Sequence, residues 1–213
     1  MNKGVGSTLE SIGMYHGQKS GVTYLNGLCP GGQNRMNNFA LVAYLPDPLR
    51  KFLDILRREL VPGCSPHAHV TILPPRPLSG TPDQAIETVR SRILEFSPFE
   101  VKIGDVEVFA VSDVVYLGIA AGRESLEQMH GALDVGPLKF EEPYSYHPHI
   151  TLAQDLTHDQ SIELTELARI RWSEFPHSKA FPVESLVFVQ NTTRKLWVDL
   201  ARFQLAPEPS IRR

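Results

Sequence analysis

Apolar and polar residues alternate in two strings of one pattern, His67-Ala68-His69-Val70-Thr71-Ile72 and His147-Pro148-His149-Ile150-Thr151-Leu152. On an extended strand, neighbouring side chains take opposite faces. The imidazoles and the hydroxyl therefore share one side, and Val70 with Ile72, or Ile150 with Leu152, share the other. Each string is expected to bury a greasy face and offer a polar one, and two such strands bring their polar faces together over a shared cleft.

The hydrophobic pattern around the strings predicts the remaining elements. Phe39 to Leu45 is a strand-length apolar run ended by Pro46-Asp47-Pro48. Asp47 reads as an N-cap with Pro48 at the first helical position, and Leu49, Phe52, Leu53, Leu56 and Leu60 recur at helical spacing until Pro62-Gly63. The Arg57-Arg58 pair reads as a solvated face of that helix. Beyond the first string, Pro74-Pro75-Arg76-Pro77 is expected to stop the strand. Thr81-Pro82-Asp83-Gln84 is a capping box opening a helix with Ile86, Val89, Ile93 and Phe96 on its apolar side. Phe99 to Ile103 and Val106 to Ala110 read as strands broken at Gly104-Asp105. Val114 to Ile119 is a further strand, followed from about Glu124 by a helix with Leu126, Met129 and Leu133 on one side. A loop from Gly136 to Ser145 delivers the second string. Thr157-His158-Asp159-Gln160 is a second capping box, for a helix with Ile162, Leu164, Leu167 and Ile170 as its apolar contacts. Val183 to Val189 and Leu196 to Leu200 read as a closing hairpin.

Strand, helix, His strand, helix thus occurs twice, and His69 matches His149. An internal repeat of this kind predicts a duplicated α+β fold of two lobes related by a pseudo-two-fold axis. The halves are expected at about 38–110 and 114–206 of a domain spanning 37–206, with room for the lobes to interleave. Residues 1–36, rich in Gly, Ser and Asn, read as a loose arm, and 207–213 as a short tail.

Composition narrows the classes. The 213 residues are 42% hydrophobic and 21% charged, ordinary for a soluble globular chain. A formal net charge of −3 gives no basic surface for a long duplex, so a nucleic-acid ligand would be short and gripped locally. Two cysteines, Cys29 and Cys64, make no disulfide framework and point to a reducing, cytoplasmic setting, with Cys64 read as an inert buried thiol. No apolar stretch reaches membrane-spanning length, and no secretory signal is evident.

Two imidazoles facing each other can act as base and acid in one turnover, because a histidine pKa near 6.5 lets both protonation states coexist. A threonine two residues along places a hydroxyl beside each ring, within reach of an anion's oxygens. Such a site suits in-line displacement at phosphorus, and the scheme needs no metal or other cofactor.

His69-Val70-Thr71-Ile72 and His149-Ile150-Thr151-Leu152 resemble the paired His-x-Thr/Ser-x signatures, x hydrophobic, of the two-histidine phosphoesterase superfamily. That group includes the 2′-5′ RNA ligase-like proteins and cyclic phosphodiesterases. The resemblance covers about residues 38–205. It implies two antiparallel-rich sheets facing a central cleft with helices outside, and metal-independent chemistry at 2′,3′-cyclic phosphates or 2′-5′ phosphodiesters. It also implies His69 and His149 as the catalytic pair with Thr71 and Thr151 as phosphate-binding partners. A monomer acting on a small nucleotide or an RNA end is the matching expectation. His67 and His147 lie outside the signature and would extend the polar cleft floor. Arg76, Tyr144 and Tyr146 are candidates to contact phosphate or stack on a base, whereas Phe109 and Tyr116 read as core, with a place flanking the cleft as the alternative. Two rival readings remain: a metal-dependent hydrolase using the two His-x-His pairs, and a non-catalytic module that binds nucleotides or RNA ends.

Overall fold

The computed structural model describes residues 37–64, 67–192 and 196–206. The readings of 1–36 as an arm and 207–213 as a tail lie outside them. The elements in order are β1 (Phe39–Tyr44), α1 (Leu49–Leu60), β2 (His69–Arg76), α2 (Pro82–Arg92), β3 (Phe99–Phe109) and β4 (Val114–Ala121). They continue with α3 (Arg123–Leu133), β5 (Ile150–Ala153), α4 (His158–Ser173), β6 (Ala180–Val183), β7 (Ser185–Asn191) and β8 (Trp197–Gln204).

Two antiparallel four-stranded sheets result, ordered β2-β1-β7-β8 and β5-β4-β3-β6. In each, the strand carrying the His-x-Thr string is an edge, and its neighbour is the strand that opens the repeat. The chain changes sheet at Glu184, so Val183 ends β6 in the second sheet and Ser185 starts β7 in the first. A single strand over Val183 to Val189 is therefore replaced by two, while the closing β7–β8 hairpin forms as expected. One main core joins Leu41, Val70 and Ile72 from the first sheet to Leu117, Ile150 and Leu152 from the second, under Leu53, Leu56, Leu126 and Met129 of the helices.

Local signals set both boxed helices. Thr81 accepts from the Gln84 N–H and Thr157 from the Gln160 N–H, and in each box the glutamine reaches back to the cap N–H. Helix α1 differs: it starts at Leu49 after Pro48, and the Asp47 carboxylate, instead of capping, pairs with Arg50 and Lys51. Helix α4 buries Ser161, Thr165, Ala168 and Trp172, whereas Ile162 and Ile170 are exposed. Small residues let α4 lie close to its neighbours, and the Ser161 and Thr165 hydroxyls are satisfied by the carbonyls of His158 and Ser161 within the helix, so burying them costs little.

Strand β3 runs unbroken through Gly104, where a shift of register against β4 absorbs the irregularity and Trp172 Nε1 donates to the Gly104 carbonyl at 2.9 Å. Strand β2 likewise continues through Pro74 and Pro75 to Arg76, which pairs with Phe39. Both prolines sit on an edge strand, where a missing N–H is tolerated. Cys64 is half-buried, not sealed in the core. Among the described residues no helix is long and apolar enough to cross a membrane.

Candidate active site

His69 opens β2, and His149 stands one residue ahead of β5. The two edge strands approach each other to within 8 Å between Cα atoms. Both rings are buried, and both are held in the same way. His69 Nδ1 lies 2.7 Å from the His67 carbonyl oxygen, and His149 Nδ1 lies 2.6 Å from that of His147. A carbonyl can only accept, so each Nδ1 carries its hydrogen, and in His149 Nε2 is the nitrogen left for chemistry. Thr71 and Thr151 are buried too. Their hydroxyl oxygens, with His149 Nε2, have no protein hydrogen-bond partner among the described residues. Leaving a buried polar atom unsatisfied costs about 1–3 kcal/mol, so three such atoms on two neighbouring edge strands mark a place built for a polar ligand. Burial pushes the His149 pKa down to about 4 against the opposing pull of the His147 carbonyl. The ring is therefore neutral at pH 7, with a bare Nε2.

The surroundings of the two rings differ. His67 has a left-handed backbone (φ 86°) and lies outside β2, with an exposed side chain. It does not alternate with His69 along one strand as the string alone predicts. The turn is set by Asp54, a buried carboxylate of α1 that accepts the N–H of His67 at 2.8 Å and of Ala68 at 2.7 Å. Tyr44 of β1 pairs across the strands with His69 and stands edge-on to it at 6.2 Å, while its hydroxyl donates to Asp199 of β8 at 2.8 Å. Burial and Asp199 raise its pKa.

Around His149 the wall is aromatic. Phe109 lies edge-on at 5.0 Å and stacks at 4.0 Å on Tyr116, whose ring is 5.3 Å from His149. These two residues border the site and are not plain core. Tyr116 donates to Glu107 at 2.9 Å, and burial, followed by Glu107, pushes its pKa up to about 12. Gly118 makes room for that carboxylate, since a Cβ there would sit 2.4 Å from Glu107 Oε1. His147 is half-buried and accepts from Arg123 at 3.1 Å; burial and then the guanidinium lower its pKa. Like His67, it precedes its strand, and it reaches the His149 ring through its carbonyl.

A cavity of about 160 Å³ joins the two sheets, with Thr71 on one side and His149, His147, Phe109, Tyr144 and Tyr146 on the other. Tyr144 is exposed at its rim. Tyr146 donates its hydroxyl to the Thr71 carbonyl at 2.7 Å and stacks at 4.0 Å on His130, which itself donates to the Ile72 carbonyl at 2.8 Å. Tyr146 thus ties the loop before β5 to β2 and offers the cavity its ring, not its hydroxyl.

Arg76 does not face the cavity. At 1% exposure, it bonds the Pro74 and Leu138 carbonyls and pairs with Asp134 and Glu142. The expectation of a phosphate contact is corrected, because continuation of β2 past the prolines carries this side chain inward to brace the 134–142 loop. Asp54, Glu107, Asp199 and Arg123 escape sequence reasoning. Each is a lone charged residue on an ordinary helix or strand, and its role comes from a neighbour distant in the chain. Among the described residues, no group of three or more His, Cys, Asp or Glu is gathered as for a metal ion.

Matched His-x-Thr edges in a duplicated α+β fold define the two-histidine phosphoesterase class. Within it, the chain belongs to the 2′-5′ RNA ligase superfamily, whose family model matches residues 45–195. It is 23% identical over 180 residues to "Putative phosphoesterase BH1439" of Halalkalibacterium halodurans, covering 80% of this chain and 99% of that one. Among solved structures it is similar to a phosphoesterase (TM-score 0.56, 17% identity, 80% of this chain and 99% of that one). It is equally similar to LigT of E. coli in apo form and complexed with 3′-AMP, each at TM-score 0.55 and 17% identity over 80% of this chain and 98% of that one. At such identity these structures speak for the fold alone.

Proposed function

We propose that this chain is a phosphodiesterase acting, without a metal, on a 2′,3′-cyclic phosphate or 2′-5′ phosphodiester of a nucleotide or RNA end. His149 and His69 serve as base and acid. The observation that carries this reading is the repeated device at the two facing edges: a buried imidazole whose Nδ1–H is held by the carbonyl two residues back, beside a threonine hydroxyl with no protein partner among the described residues. In hydrolysis, His149 Nε2 takes a proton from water as the water oxygen bonds to phosphorus. The bond from phosphorus to the departing ribose oxygen breaks, and that oxygen takes the Nε2 proton of His69 in its imidazolium form, so that His149 ends protonated and His69 neutral. Thr71 and Thr151 donate to the non-bridging oxygens. The aromatic cavity beside His149, formed by Phe109, Tyr144 and Tyr146, suits a stacked nucleobase, and His147 lines the same wall.

The test is turnover of 2′,3′-cyclic mononucleotides, an RNA end with a cyclic phosphate and a 2′-5′ dinucleotide, with products identified. His69→Ala and His149→Ala are each expected to lower kcat about 10²–10⁴-fold. Equal product from wild type and the double variant would overturn the mechanism.

A further inference from the structure

Helix α1 holds a buried cation that the site just described does not use. Arg57, expected on a solvated face, is 5% exposed, and its Nε has no partner among the described residues. Nor, among those residues, does any carboxylate pair with it. A guanidinium stays charged at any working pH, and burying one without a counter-charge is strongly unfavourable. Arg76, equally buried, shows the usual solution, with two carboxylates.

The repeat sharpens the contrast. Leu53, Leu56 and Leu60 of α1 match Leu126, Met129 and Leu133 of α3, so Arg57 stands where α3 has His130. In that half, the place is filled by His130 stacked on Tyr146. On the α1 side, Arg57 borders a cavity of about 460 Å³ together with Thr151, Gln154, Gln160 and Val61 to Cys64. Two further residues on its wall, Thr151 and Gln154, carry buried atoms, Oγ1 and Oε1, that also lack partners among the described residues. Turning the Gln154 amide over, a change that leaves its shape the same, would present an N–H₂ donor instead. Asp155 borders the cavity without pairing with Arg57 in the described contacts and has interactions of its own.

We propose that this cavity is a second oxyanion site, in which Arg57 holds a phosphate other than the one between the histidines. The proposal rests on the function proposed above. Thr151 borders this cavity while Thr71 and His149 border the first. His149 and Thr151 are two residues apart on one edge, so the Arg57 cavity lies beside the reacting phosphate proposed above, on the side away from the aromatic wall. The matching substrate class is an oligonucleotide end, whose next phosphodiester enters the Arg57 chamber, in preference to a free cyclic mononucleotide.

The experiment has two arms. In the first, thermal unfolding is followed with and without inorganic phosphate in the full chain, in Thr71→Ala/His149→Ala, and in each after Arg57→Met or Arg57→Lys. Arg57→Met is expected to raise Tm in phosphate-free buffer, by removing an uncompensated buried charge. It should also abolish the phosphate-induced rise that survives in Thr71→Ala/His149→Ala, and Arg57→Lys should restore part of that rise. In the second arm, kcat/KM for a dinucleotide ending in a 2′,3′-cyclic phosphate is divided by that for the cyclic mononucleotide. Arg57→Met is expected to cut this ratio at least tenfold. A lowered Tm with an undiminished phosphate response makes Arg57 a structural strut and overturns the site. A lost phosphate response with an unchanged ratio overturns the substrate assignment, leaving a site for free anions. If neither substrate turns over while the phosphate arm behaves as expected, the phosphodiesterase reading fails and the anion site stands.

Discussion

His69 and His149 sit in the same four-residue pattern, and each gives its Nδ1–H to the carbonyl two residues back, yet the two halves secure that carbonyl by different means. On the first side a buried carboxylate, Asp54, gathers two backbone amides and stabilises a left-handed turn at His67. On the second side His147 has no left-handed backbone, and no carboxylate among the described residues takes that place. Phe109 and Tyr116 stand edge-on to the His147 ring, and Arg123 donates to it. Once duplicated, a motif can keep its reacting geometry while its supports diverge, because an imidazole needs only one fixed nitrogen to aim the other. The chambers beyond the rings diverge as well, aromatic next to His149 and cationic next to Arg57.

That comparison can be broken in several places. The largest effect is expected from Arg76→Met, which leaves Asp134 and Glu142 without their buried cation and should cost about 3–5 kcal/mol in denaturant unfolding. It should act opposite in sign to Arg57→Met, and equal signs would show that the two arginines are not in contrasting environments.

Asp54→Ala removes two charge-assisted bonds and should cost about 3 kcal/mol. Turnover should fall with it, since the His67 carbonyl that orients His69 loses its anchor. An unaltered kcat would show that the first turn holds itself.

Next in size is a pH effect confined to the second half. Burial lowers the His149 pKa from 6.5 in the unfolded chain to about 4 in the folded one. Above pH 6.5 both forms are neutral and stability is full. As pH falls below it, the unfolded chain binds a proton that the native ring refuses, so stability drops by a limit on the order of 3 kcal/mol by pH 4. His149→Gln should flatten this part of the stability–pH curve, read from unfolding midpoints at half-unit steps. A curve that keeps its slope would mean that other groups carry it.

The smallest effects concern the paired tyrosines. Tyr44→Phe and Tyr116→Phe each lose one hydroxyl–carboxylate bond, to Asp199 and Glu107, and each should cost about 1 kcal/mol. Only Tyr116→Phe should disturb the environment of His149, visible as a shift in that ring's NMR titration.

Much of this was legible in the chain. Both capping boxes, the apolar stripe of α3, the strands on either side and the repeat itself follow from residue spacing, and the two strings do lie on facing edges. On helix α4, Leu164 and Leu167 pack against the core as expected, whereas Ile162 and Ile170 are exposed, because Ser161 and Thr165, with hydroxyls satisfied inside the helix, take up part of its buried face. Strand β2 outran its prolines because an edge tolerates them. Arg57 and Arg76, alike as sequence, could not be told from solvated arginines, because burial depends on what packs over them.

The sequence alone determined where the two boxed helices begin, which face of α3 and of the His-x-Thr strands is greasy, and that one histidine motif occurs twice, since capping bonds and strand alternation act between residues a few positions apart. Tertiary structure decided the rest: that β7 and β8 join the first sheet and β6 the second, that Asp54 reaches the His67 turn, and that one buried arginine has carboxylates while the other lines a cavity. Those outcomes depend on which distant side chains share a dry interior, where a charge or hydroxyl is governed by its neighbours in space and not by those along the chain.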